Sequence, residues 1–528
     1  MKRVVLGILL VLALGALAML PGRLERAVQQ GIEDKGLPIS YGDLQIRLFQ
    51  RQIQVQGLQS SQTVPTKAAR LQFKTSIDTL LLEGIQWWPL FRNKQLKANT
   101  LRIAAPQVQV RLDTAQWIDS LPQSGTKLDL ELIVHEIDLA RGFLAWEQTG
   151  PIDRHFQIED IAAQLHPAPI RPGEAILPAL LDAYEVELRC ITTTDSNALH
   201  RAHIGQMLAR STDSSLQVLD LEVYPQFTPA AFNQRLYYKR DQLNVSVAKL
   251  AASGLDFDRL LEQQLDCRHL LIQDIRINDL ADRNLPHNPR RRHPLPQPYL
   301  LDLPMALTID SVAIRNGQIR YAEIPPGRKL PGYVDFTDLQ ADLYKISNDS
   351  LFWTQHDQLS ARINCKLYGQ AALYVNFQFP MQARPWTYHY QGYLHAFDMP
   401  NANVIMEQAA DMRVLTGQVK SLSFQATANE QLAWGPLEFY YENLDVAFLK
   451  EKNGFVKNVV SDLVEWWAFP QENLKHKKHR IGNMHKQYDS SRSFFYQLWQ
   501  TVLSGIQSVI LPNIILPHPL KHEKVEGE

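Results

Sequence analysis

Cysteine is scarce. Cys190, Cys267 and Cys365 are the three in 528 residues, too few and too far apart for a disulfide framework or a thiolate metal site. Each lies in an alternating segment, the usual setting of a buried thiol. An excess of either charge is also missing: 54 Lys and Arg against 55 Asp and Glu leave a net charge of −1. That balance argues against a whole-chain electrostatic footprint for nucleic acid. The chain has no glycine-rich phosphate loop, no Gly-x-Ser-x-Gly elbow and no His-Glu-x-x-His pair. Carboxylates and histidines are plentiful but fall in no catalytic spacing, so neither an enzyme nor a cofactor is expected. His476, His479 and His485 lie beside Lys475, Lys477, Lys478 and Arg480, where like charge opposes a metal cation. Disorder is excluded as a global state, because 45% of the residues are hydrophobic and 21% charged.

What is present begins with Lys2-Arg3 and the apolar residues Val4 to Leu20, among them Leu10 and Leu14. As a straight helix this run covers about 25 Å, close to a hydrocarbon core. Two readings stand. Ala16-Leu17-Ala18 fits a signal-peptide cleavage site. Alternatively Val4, Leu10, Leu14 and Leu20 are part of a retained single-pass anchor, with Lys2 and Arg3 on the cytoplasmic side. Leu24, Val28 and Ile32 continue helical spacing to Gly36, which favours the anchor. Under either reading the remaining chain is exported.

From Ile39 the period changes to two, the mark of strands. Leu44, Ile46 and Leu48 alternate, then Ile53 and Val55. Trp87-Trp88-Pro89-Leu90-Phe91 is an aromatic cluster, either core or a membrane-interface belt. Two later stretches match at an offset of 175. Leu128, Leu130, Leu132 and Val134 correspond to Leu303, Met305, Leu307 and Ile309. Ile137, Leu139, Gly142, Leu144 and Trp146 correspond to Val312, Ile314, Gly317, Ile319 and Tyr321. Ile158 to Leu165 then matches Phe336 to Leu343 at 178, and Leu101 to Val110 is a weaker echo. This self-similarity points to duplication. Asn316-Gly317 suits a two-residue type I′ turn, so a hairpin is expected with Ile314 opposite Ile319.

Further strand-like runs fill 184–277 and 361–449, with short helices expected at Pro229–Tyr237 and Asp256–Gln264. The Pro-rich segment around Arg290-Arg291-Arg292 reads as an extended loop. Phe494, Phe495, Leu498, Trp499, Val502, Ile506 and Val509 form one apolar stripe of a C-terminal helix. That helix either caps strand edges or lies in a membrane interface.

The expected architecture is mainly β: an elongated, curled antiparallel sheet, apolar inside, with an N-terminal transmembrane helix, a few short helices and a C-terminal amphipathic helix. Its segments are an anchor (1–22), an amphipathic helix (23–40), a first β region (41–280), a Pro/Arg-rich loop (281–300), a second β region (301–450), a basic linker (451–489), an amphipathic helix (490–511) and a tail (512–528). Groove-lining candidates are Leu130, Leu132, Leu139, Leu144, Leu307, Ile309, Ile314, Ile319, Val375 and Phe377. One apolar sheet face must be buried against something. Acyl chains are one filling; the groove closing on its own side chains, as in a scaffold or assembly factor, is the other.

Several segments resemble one family. The apolar N-terminal segment is followed by Leu44-x-Ile46-x-Leu48, Ile53-x-Val55-x-Gly57-Leu58 and Leu101-x-Ile103-x-x-Pro106-x-Val108-x-Val110. With Val312-x-Ile314-x-Asn316-Gly317-x-Ile319-x-Tyr321 and Gly392-Tyr393-Leu394 through Val414, Gly417, Leu422 and Phe424, these resemble the AsmA-like proteins of Gram-negative envelopes, in the AsmA/TamB superfamily. The likeness covers most of residues 1–450. The ending, Arg492-Ser493-Phe494-Phe495 through Trp499 and Leu503-Ser504-Gly505, resembles a Bacteroidota subset. The resemblance implies a bridge-like lipid-transfer protein, anchored in the inner membrane with its bulk in the periplasm. It implies phospholipid as partner, a part in outer-membrane homeostasis and no catalytic residues. Roughly 25 strands at ~4.8 Å reach at most ~120 Å, so a further envelope protein or self-association is expected to complete the span.

Overall fold

A computed structural model describes residues 26, 39–65, 69–93, 95–114, 131–149, 154–169, 181–194, 199–449, 470–477 and 479–510. The N-terminal anchor and the amphipathic segment after it, Leu130 and the tail lie outside the described residues, apart from Arg26, Ile39 and Ser40. Among the described residues the chain is mainly β, with 22 strands and few helices, and it divides into two compact units. The first comprises residues 1–226 and 248–258, the second 227–247 and 259–528.

In the first unit β1 (Ile39–Ser40) and β2 (Asp43–Arg47) pair with β3 (Gln52–Pro65), and β3 pairs with β4 (Ala69–Glu83). A short helix α1 (Trp87–Asn93) leads to β5 (Gln95–Ala104) and β6 (Gln107–Thr114), which together flank β4. Both then run parallel to β7 (Glu131–Thr149). Antiparallel neighbours follow: β8 (Arg154–Pro167), β9 (Leu181–Thr194), β10 (His200–Arg210) and β11 (Ser215–Pro225). Next along the chain come α2 (Pro229–Asn233), β12 (Gln242–Leu255) and α3 (Phe257–Leu261). The two helices fall inside the spans expected from the sequence.

The second unit starts with β13 (Gln264–Asp282), a connection containing α4 (Pro296–Leu301), and β14 (Ala306–Ile324) parallel to β13. Antiparallel pairing then runs through β15 (Gly332–Ser347), β16 (Gln358–Leu367), β17 (Ala371–Pro380) and β18 (Thr387–Leu394), and the short β19 (Phe397–Asp398) follows. After α5 (Asn403–Ala409), β20 (Met412–Asn429) pairs with β18 and β19, then with β21 (Leu432–Phe448), which pairs with β22 (Ile481–Gln487). The last element is α6 (Phe494–Ile510).

Three expectations are corrected here. The sheet is mixed, not purely antiparallel. A parallel neighbour needs a long crossover, and the Pro/Arg-rich segment is that crossover in the second unit. Asn316-Gly317 is no hairpin turn: β14 runs straight through it as one 19-residue strand. Asn316 sits at φ 57°, and the register with β15 shifts on both sides of Gly317. The apolar residues switch from even to odd positions there, and a β-bulge restores them to one face as well as a hairpin would. Arg141-Gly142 in β7 behaves identically, with φ 57° at Arg141 and the same register shifts. Finally, the basic segment is no mere linker from residue 470 onward. Asn473 exchanges backbone hydrogen bonds with Tyr441, and β22 extends the sheet.

The duplication is thus visible in register. β7 and β14 have the same length, with bounds 175 residues apart. Each is flanked by a parallel strand path kinked at a left-handed residue, Ala105 or Asp274. The Asn316 amide donates to the Asp274 carboxylate, tying two adjacent left-handed residues together.

In the second unit α6 lies against β22 and β21. Backbones approach closely: a Cβ on Gly482 would stand 2.5 Å from the Gly505 carbonyl, and one on Gly505 2.6 Å from Met484. Replacing Gly505 with Leu should therefore lift α6 and cost about 1–3 kcal/mol by overpacking. Urea denaturation followed by tryptophan fluorescence checks this; an unchanged midpoint would contradict the packing described.

Candidate functional site

The strands are long, and their apolar residues line up across the sheets. In the first unit one row runs Val55, Leu80, Ile103, Leu139, Ala163, Val186, Ala209, Leu216 through successive Cα partners. Beyond the bulges a second row runs Val108, Leu144, Ile158, Ile191, Ile204, Leu221. Charged side chains occupy the other face, where Arg102 pairs with Glu83, Arg111 with Glu147 and Arg210 with Glu185. Such exposed pairs contribute little stability, but they mark that face as wet.

The two units differ in what meets their apolar rows. In the first unit's row of eight, only Ala163 is buried; the other seven are half-exposed. Its fully buried clusters are small, around Leu82, Ile85, Ala98 and Val134, and around Leu71, Val110 and Leu112. In the second unit the row Ile272, Ile314, Ala341, Ile363, Val375, Gly392, Phe424, Leu437, Gly482 crosses nine strands. From β17 onward that face is filled. Phe377, Phe379, Tyr388 and Tyr390 stack with ring centroids 5.6–5.8 Å apart, and Phe494 of α6 sits on them. Burial pushes the Tyr390 and Tyr441 hydroxyls up to about 12, so both stay neutral.

One helix reaches both flanks of this sheet. Phe495 packs on Tyr321 of β14 and Phe336 of β15, at 5.8 and 6.0 Å between centroids. Ser504 and Ser508 accept the backbone N–H groups of His485 and Asn483, on the free edge of β22, at 3.0 and 2.8 Å. Phe495 and Ser504 are about 14 Å apart along the helix. A flat sheet would hold β14 and β22 ~34 Å apart, so the second unit's sheet curls around α6.

The predicted site residues fall into three groups. Leu132, Leu139 and Leu144 are half-exposed in the first unit. Leu307, Ile314 and Ile319 are half-exposed in the second, and Val375 packs at the rim of its largest core. Ile309 and Phe377 are buried. Leu130 and the anchor residues Val4, Leu10, Leu14 and Leu20 lie outside the described residues. In α6 the expected stripe is partly corrected. Phe494, Leu498, Val502, Ile506 and Val509 do pack on the core, whereas Phe495 and Trp499 are each 42% exposed. The most buried line is Gln497, Thr501, Gly505, Val509. Rotation toward small and polar residues lets the helix approach β22 and satisfy its edge N–H groups. The signal missed in the sequence was the Ser504/Ser508 spacing, one turn apart.

Of Trp87 and Trp88, the first joins the small core and donates its indole N–H to the Leu48 carbonyl at 3.0 Å. Trp88 is 72% exposed. Burial pushes the Cys365 thiol up to about 11, away from reactivity. Among the described residues no group of His, Cys, Asp or Glu is arranged to hold a metal, and no helix is long and apolar enough to cross a membrane. Comparison with protein families finds no match, and no curated protein matches the chain.

One half-buried carboxylate gives a pH signature. Burial, and then Asp241, push Asp279 up to about 6, with Lys239 opposing. The folded state therefore holds this proton more tightly than the unfolded chain, whose carboxylates titrate near 3.9. Its contribution is complete below about pH 4 and is lost as pH rises through about 6. The Asp279→Asn variant should lose that component and be the more stable protein at pH 7. Unfolding at pH 4, 5, 6 and 7 measures it; identical profiles for the two proteins would contradict the burial.

Proposed function

We propose that this chain is a non-enzymatic carrier that holds phospholipid acyl chains along the apolar rows of its first unit. The observation that carries the reading is a half-exposed apolar row eight strands wide, over which no long helix lies among the described residues. Leaving that much apolar surface to water is costly, at roughly 25 cal/mol per Å², and large exposed apolar patches mark binding surfaces. Acyl chains suit such rows because they are long, unbranched and need no polar partner. The elongated trough expected from the sequence, the AsmA-like resemblance and the apolar residues Val4–Leu20 support the same reading. Under it the protein is anchored in the inner membrane, lies in the periplasm and moves phospholipid toward the outer membrane. The filled second unit favours an additional role: a structural unit, built around α6, that supports assembly with an envelope partner or a second copy.

The units should respond differently to one kind of substitution. Leu139→Asp places a charge on a half-exposed groove wall, so the protein should stay folded yet lose most co-purifying phospholipid. Val375→Asp sets a charge against the largest core, where burial without a partner is costly, and should lower stability by several kcal/mol. Lipid mass spectrometry and thermal denaturation of the full chain read both outcomes. Wild-type protein free of phospholipid would sink the carrier reading. A Leu139→Asp variant with full lipid loading would move the lipid elsewhere.

A further inference from the structure

The first unit exposes two large aromatic side chains at one end. Phe49, in the turn between β2 and β3, is 80% exposed and Trp88, in α1, is 72% exposed. They are two of the three most exposed large apolar side chains among the described residues. The hydrogen bond from Trp87 to the Leu48 carbonyl holds turn and helix side by side. Neither aromatic has a ring partner among the described residues. Arg47, Arg51 and Arg92 are exposed on the same turn and helix. Among the described residues none of the three is in an ion pair.

We propose that this tip docks on an anionic phospholipid bilayer, with Phe49 and Trp88 at headgroup depth and the three arginines on lipid phosphates. Aromatic rings flanked by basic residues are the side chains that favour that boundary. The proposal rests on the membrane-anchored reading but not on lipid transfer.

The full chain, inserted in vesicles of phosphatidylcholine with phosphatidylglycerol, tests this with a photo-crosslinking residue at position 49 or 88. Leu330, 68% exposed and not part of the tip, serves as the control, and Leu139 reports the groove. Lipid adducts are expected at 49 and 88, roughly tenfold above those at 330, given the local character of interfacial insertion. In pure phosphatidylcholine, or with Arg47, Arg51 and Arg92 all replaced by Gln, the yield at 88 should fall severalfold. Lipid adducts at 139 but not at 49 or 88 would overturn the docking surface and leave the carrier standing. Adducts at 49 and 88 but not at 139 would do the reverse. Protein-sized adducts at 49 or 88 would assign the tip to a protein partner or a second copy and overturn the proposal.

Discussion

A strand that must keep one face apolar cannot let its hydrophobic residues change parity, yet strand after strand here does so. Ile103 to Val108, Leu139 to Leu144, Ile272 to Ile277 and Ile314 to Ile319 each span an odd number of steps. A left-handed residue at Ala105, Arg141, Asp274 or Asn316 absorbs the difference. Each bulge re-aims the residues after it and increases local twist. Because Ala105 matches Arg141 in position in the first unit and Asp274 matches Asn316 in the second, they align within each unit's sheet, and aligned bulges are a means of curving a sheet. The buried Gly142 and Gly317 follow this line for want of space: a Cβ on either would stand 2.9 Å from Ile161 or Leu339.

Each unit carries an apolar sheet face, and the two units meet it differently. In the second, α6 and the crossover carrying α4 fill the apolar face. Leu295 joins its core and Gln297 donates to the Thr387 carbonyl at 2.8 Å. The edge of β22 is closed by serine hydroxyls, which removes a template for unwanted strand pairing. In the first unit no comparable helix is present among the described residues, and most of the two rows stays half-exposed, with Ile158, Ala163 and Ile191 buried. The proposed lipid-carrying role follows from that contrast between filled and unfilled faces.

Much of this was legible from alternation. The mainly β class, the helices near 229 and 256, the repeat offset and α6 all follow from period and turn chemistry. Asn316-Gly317 misled because the pair serves hairpin and bulge alike. Only pairing with β13 and β15 separates the two, and pairing is a tertiary property. The parallel neighbours were hidden for the same reason, since a crossover and a plain loop share their composition. In α6 the hydrophobic stripe pointed to Phe495 and Trp499, but backbone approach at Gly482 and Gly505 set the rotation. Small residues carry that information, and a hydrophobicity pattern discounts them.

The most direct test of the account scans a photo-crosslinker along β7 in lipid-loaded full-length protein. Lipid adducts should appear at positions 137 and 139, then at 144 and 146, and be absent at 138, 140, 143 and 145. That phase switch at Arg141 requires both the bulge and acyl chains on the inner face. Adducts that keep odd parity through the whole strand, or that fall equally on both faces, would contradict it.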